Sequence, residues 1–103
     1  MKRLFVSLPM RGKTDDEIIA ENNRIVLKAQ EALGEALVPV RHIFGYCEDE
    51  GNLAARRLGN AISCMAEADV AAFGKGWEKA RGCRIEHQVC MDYGIPFVEI
   101  YSD

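Results

Sequence analysis

Asp69-Val-Ala-Ala-Phe-Gly-Lys-Gly-Trp-Glu-Lys-Ala-Arg-Gly-Cys-Arg-Ile-Glu86-His-Gln-Val-Cys-Met-Asp-Tyr-Gly-Ile-Pro-Phe-Val98 is the stretch whose reading decides the fold of this 103-residue chain. Val70 to Phe73 is a short apolar run, the pattern of a buried strand. Gly74, Gly76 and Gly82 mark a loop. From Gly82 to Tyr93 the spacing predicts a helix, with Ile85, Val89 and Tyr93 as its buried stripe and Gly94 as its stop. Pro96 to Tyr101 then reads as another strand. A glycine-rich loop that empties onto a helix N-terminus is where α/β proteins hold small anionic ligands.

Outward from that stretch the same alternation continues. Leu4 to Ser7 is an apolar run ended by Pro9, followed by a loop over residues 7–13. Thr14 with Glu17 three residues on is a capping-box signature: the hydroxyl takes an orphan N–H and the carboxylate reaches back. Ile18, Ile19, Ile25, Val26, Ala29 and Leu33 keep a helical period, and Gly34 ends it. Ala36 to Val40 reads as a strand, placed near a sheet edge because Pro39 has no N–H to donate. Residues 41–53, with Gly45, Gly51 and Glu48-Asp49-Glu50, carry no clear pattern. A helix is predicted from about Ala54 to Ala68, with Leu58, Ile62, Met65 and Ala66 on one face.

Strands alternating with helices call for a parallel sheet covered on both faces. Right-handed crossovers then give a doubly wound α/β domain of about four strands, order 2-1-3-4, spanning residues 1–103. The order reverses between the first and third strands, so loops 7–13 and 74–82 are expected to face one crevice.

Composition narrows the function classes. Hydrophobic residues make up 49% of the chain, too many for a disordered polymer. The net charge of −3 comes without a basic run, which argues against nucleic acid as a partner. No apolar run approaches the roughly 18 residues of a membrane span, and Met-Lys-Arg leads into a strand instead of a signal peptide. Cys47, Cys64, Cys83 and Cys90 form no Cys-x-x-Cys pair and read as reduced thiols of a cytoplasmic protein.

Several residues in the two loops suit ligand chemistry. Glu86 is read in the first turn of its helix, where the macrodipole favours negative charge by about 0.3–1 kcal/mol. It is either an ordinary helix-start acid or a carboxylate kept ionised at the crevice as a nucleophile towards a sugar carbon. Gly76 and Gly82 allow close backbone approach, and Trp77 suits stacking on a base or sugar, or an oligomer contact. Ser7, Pro9, Met10, Arg11 and Gly12 form the opposite loop, and Arg11 and Arg81 offer planar forks for a phosphate or carboxylate. Asp69, directly before its strand, is either an orienting group for the loops or a turn residue. Cys83, His87 and Cys90 fall at i, i+4 and i+7 on one helix face, a spacing open to metal or redox chemistry if Cys47 or His42 completed the shell, and otherwise to packing. In that packing alternative the histidine caps, or pairs with Glu86. No metal or other cofactor is assigned.

Three segments carry a family resemblance: Ser7-Leu-Pro-Met-Arg-Gly-Lys-Thr14, Ala66-Glu-Ala-Asp-Val70, and Gly76-Trp-Glu-Lys-Ala-Arg-Gly-Cys-Arg-Ile-Glu-His87. Together they resemble an uncharacterised family of short proteins often found in phage and prophage, within the nucleoside 2-deoxyribosyltransferase-like superfamily. The resemblance implies a flavodoxin-like sheet, a homo-oligomer and a small nucleoside or nucleotide as partner. It also implies that Glu86, in the helix after the third strand, is the nucleophile. The chain departs from the transferases at four places. Phe5 stands where a tyrosine is usual, Leu8 where many have glycine, Ala61 where a supporting aspartate is expected, and Ala80 where a serine is common. The resemblance therefore implies an N-glycosidic-bond enzyme, or else a catalytically inactive nucleotide- or small-anion-binding module of the same fold.

Overall fold

The computed structural model describes residues 1–40 and 52–101. Its elements follow the alternation: β1 (Lys2–Ser7), α1 (Asp15–Leu33), β2 (Leu37–Pro39), α2 (Leu53–Met65), β3 (Val70–Phe73), a 3-10 turn (Trp77–Lys79), α3 (Arg81–Tyr93) and β4 (Phe97–Glu99). All the strand pairings are parallel and the order is β2-β1-β3-β4, the flavodoxin-like arrangement.

Period-two alternation in the central strands sorts the core into two halves. Leu4 and Val6 of β1, with Val70 and Ala72 of β3, face Ile18, Ile25 and Ala29 of α1. Phe5, Ala71 and Phe73 face the other way, onto Met65 at the end of α2 and Cys90 of α3. The two central strands thus bury both their faces, as a parallel sheet requires.

Local signals hold where they rest on backbone chemistry. Thr14 Oγ1 accepts from the Glu17 N–H at 3.2 Å, and Glu17 Oε1 accepts from the Thr14 N–H at 3.0 Å, closing the capping box. Gly34 and Gly94 end α1 and α3 in the left-handed region, at φ 68° and 70°. Pro39 lies in an edge strand, and the neighbouring Leu37 N–H donates to Gln30 Oε1 at 3.0 Å.

Side-chain faces hold less well. The stripe expected to be buried on α3 is largely turned outward: Tyr93 is 80% and Ile85 38% exposed, and only Val89 packs against the core. The buried stripe is Cys83, Glu86 and Cys90, about a quarter turn away at 100° per residue. Two small thiols let the helix sit close to β3 and Met65, and the bulkier side chains flank the seam. Ile19 and Leu33 of α1 are likewise partly exposed. The helix after residue 51 stops at Met65, short of Ala68, with Ala66 as its cap.

Gly74 fixes how closely loop and core approach. A Cβ built there stands 2.6 Å from Ile25 Cδ1 and 3.4 Å from Leu8 Cβ. Ile25 is fully buried in the core, so its methyl can yield only by repacking against its neighbours. Gly74→Ala is expected to cost about 1–3 kcal/mol by overpacking, read as a lower urea midpoint with an unchanged m-value.

Candidate functional site

β1 alternation decides where Ser7 points. Leu4 and Val6 face α1, so Phe5 and Ser7 face the α3 side. On α3 the i, i+3, i+7 spacing of Cys83, Glu86 and Cys90 turns Glu86 inward. The two meet: Ser7 Oγ donates to Glu86 Oε1 at 2.6 Å, bridging residues 79 apart in sequence. Ser7 is 2% and Glu86 8% exposed.

Burial raises the Glu86 carboxyl to about 7, and the Ser7 hydrogen bond opposes part of that rise. This corrects the expectation of a carboxylate kept ionised by a helix start. α3 begins at Arg81, so Glu86 is its sixth residue, in the second turn, where the macrodipole has faded. Depth, not helix position, sets its protonation. Near neutrality the group is divided between acid and carboxylate, the state suited to passing a proton or attacking as an anion. Among the described residues the second Glu86 oxygen has no hydrogen-bond partner.

The two loops join at this end of the sheet. The Gly74 N–H donates to Ser7 O at 2.8 Å, and a Cβ on Gly76 would sit 3.6 Å from Pro9. Gly76 adopts φ 88°, a left-handed conformation that few side chains tolerate. Met10 is half-buried against the α1 side of the core, and its carbonyl accepts from Lys13 N–H at 3.2 Å across a turn containing Gly12 at φ 80°. Arg11 and Gly12 are exposed, as is Arg81 at the first position of α3. A Cβ at Gly82 meets nothing within 4 Å, so open space lies beside the α3 N-terminus. Surface hollows beside the C-terminal half of α1 touch none of these groups. Chemistry, not concavity, singles out Ser7 and Glu86.

Asp69 is not brought to this site. Its Oδ2 accepts from the Arg3 N–H at 2.8 Å and its own N–H donates to Arg3 O at 2.9 Å. Both contacts tie the amino ends of β1 and β3, a strand's length away from Ser7. It is a turn residue with a structural partner.

The Cys83, His87 and Cys90 set also separates. Among the described residues no three acidic, histidine or cysteine side chains converge as metal ligands. Cys90 Sγ contacts Met65 Sδ at 3.6 Å, and burial pushes both the Cys83 and Cys90 thiols up to about 11, the wrong direction for thiolate chemistry. His42 and Cys47 lie outside the described residues. His87 does not pair with Glu86; its Nε2 is 3.0 Å from Glu99 Oε1. Bonds from Tyr101 and His87 hold the Glu99 carboxyl below its usual range. Trp77 lies flat on the His87 ring, centroids 3.9 Å apart and planes 9° apart, with Phe73 and Phe97 edge-on around the imidazole.

Three groups escaped the sequence reading: Ser7 as partner of Glu86, Glu99 as partner of His87, and Lys13, whose charge acts on the buried Cys83 thiol. Only the first had a usable signal, the shared phase of Phe5 and Ser7. Comparison with protein-family models, curated proteins and solved structures gives no match.

The Glu86 environment has a stability signature. Its folded pKa lies above the unfolded value, so the folded state binds more protons between about pH 4.5 and 7 and loses stability as pH rises through that window. Glu86→Gln removes the ionisation. The mutant is expected to gain on wild type by about 2–3 kcal/mol between pH 5 and pH 8, measured by urea unfolding at both.

Proposed function

We propose that this protein acts on the N-glycosidic bond of a nucleoside or nucleotide, with Glu86 as nucleophile and Ser7 as the residue that orients it. The observation that carries this reading is the buried Glu86 held at 2.6 Å by Ser7, at the sheet end where the β1 and β3 loops join. With Oε1 pinned by the hydroxyl, Oε2 is the oxygen available for attack. In the first step a Glu86 oxygen bonds to the anomeric carbon while the C–N bond breaks. The base leaves with the bonding pair and takes a proton from solvent or a neighbouring acid. In the second, water or another base attacks the same carbon, expels Glu86 as carboxylate and releases a proton. Two displacements at one carbon retain its configuration. The same reading places the chain as a cytoplasmic homo-oligomer of the phage and prophage type.

A binding module is the second reading, favoured by how four positions are used. Phe5 and Leu8 are buried in the core, Ala61 packs against it, and Ala80 begins α3 with no side-chain cap. Polar groups that would assist a leaving base are apolar here.

The two readings part on turnover. Deoxynucleosides and their monophosphates, with and without an acceptor base, are incubated with the protein and free base is followed by chromatography. An active enzyme releases base at a rate that climbs about tenfold per pH unit below pH 7 and levels above it, as the carboxylate fraction does. Glu86→Gln then abolishes release, and Ser7→Ala moves the midpoint upward. Ligand-dependent melting without base release selects the module. In either case Arg11→Ala is expected to weaken monophosphates more than nucleosides; equal weakening in a binding titration removes Arg11 from phosphate recognition.

A further inference from the structure

We propose that the substrate of this site is a nucleoside di- or triphosphate, its phosphate chain held on a cationic rim that Arg11 and Lys13 of the first loop share with Lys79, Arg81 and Arg84 beyond β3. This substrate class rests on the glycosidic reading for its base and sugar; the phosphates are read from charge alone. The two loops are bonded where the Gly74 N–H meets Ser7 O at 2.8 Å, and they approach again between Gly76 and Pro9. The cations they carry therefore belong to one surface, and all of them are exposed. The loops' charges meet at Cys83 in the first turn of α3, where Lys13 acts from the first loop beside Ser7 and Glu86.

What sets these cations apart is that no acid answers them. Elsewhere Lys2 pairs with Glu35, Arg24 with Glu21 and Lys28 with Glu31. Among the described residues none of the rim cations makes a salt bridge, in a chain whose net charge is −3. Arg84 donates to the Glu78 carbonyl at 3.3 Å, a neutral partner that leaves its charge uncompensated. The acids at this end of the sheet are engaged elsewhere. Glu17 closes the α1 cap, Glu99 is bonded by His87 and Tyr101, and Glu78 lies near Tyr101. Asp15 and Asp16, in the first turn of α1, complement its macrodipole. Cations gathered without acids repel one another, and a bound polyanion relieves that repulsion. A terminal phosphate brings about two negative charges, fewer than this rim matches, and each further phosphate in a chain adds to them. The arginines contribute forks suited to phosphate oxygens, and the lysines contribute point charges.

Binding, not turnover, is the test. Mono-, di- and triphosphates of one deoxynucleoside, inorganic phosphate, inorganic triphosphate and a short single-stranded oligodeoxynucleotide are titrated by calorimetry in the presence of a chelator. Affinity is expected to rise about tenfold or more from mono- to triphosphate. That gain shrinks between about 0.05 M and about 0.3 M salt. Inorganic triphosphate displaces the nucleotide and inorganic phosphate does not. In Lys13→Gln/Lys79→Gln, which removes one cation from each loop, most of the gain is lost. If circular dichroism shows that variant unfolded, displacement from the wild type by inorganic triphosphate decides. Equal affinity for the three nucleotides overturns the proposal, as does tighter binding of the oligodeoxynucleotide than of the triphosphate. The rising affinities without base release from any nucleotide would remove the glycosidic reading and leave the rim; base release without them would do the reverse.

Discussion

β1 is paired on both sides and buried on both faces, and its alternation constrains everything near the site. A strand that sends Leu4 and Val6 to α1 must send Phe5 and Ser7 to the helices opposite. Ser7 is then the last inward position before the chain leaves the sheet, a hydroxyl with no solvent to bond. α3 supplies the acceptor, a carboxyl carried on the seam between two thiols. Slipping β1 by one residue would turn both Phe5 and Ser7 into the aliphatic core against α1. Packing of the sheet and placement of the acid are one constraint.

That constraint also explains the protonation of Glu86. A single neutral hydrogen bond offsets only part of the desolvation of a carboxylate. A second donor or a nearby cation would have left the group ionised and inert as an acid. The fold stops at one hydroxyl, and the carboxyl titrates close to neutrality. Buried acids that titrate near neutrality cluster at functional sites, which is what supports the role proposed for this pair.

What was legible in the sequence follows from how local each feature is. Strand order came from the alternation of apolar runs and helical periods. The Thr14–Glu17 box and the glycine stops at Gly34 and Gly94 each depend on a few adjacent residues. Pro39 announced its edge by a missing donor. The α3 face did not follow, because Ile85, Val89 and Tyr93 make as good a helical stripe as Cys83, Glu86 and Cys90. Only the fit against Phe73 and Met65 chooses between them. Glu86 was legible as a position and not as a protonation state, since helix register can be counted but depth cannot. Contacts such as His87 with Glu99, and Asp69 with Arg3, join residues that no local pattern links.

The outer rim of β2 has a consequence for how this protein can meet its own kind. In a parallel strand successive residues direct their amides alternately to either side. Val40 N–H turns inward to Leu4 O, so the positions of Leu37 and Pro39 look outward. One of those donors is occupied by Gln30 and the other does not exist. A foreign strand arriving there finds no free N–H at either position, which weakens this border as a template for strand addition. At these two positions the backbone offers a newcomer carbonyl acceptors but no donors, half of what a strand pairing uses.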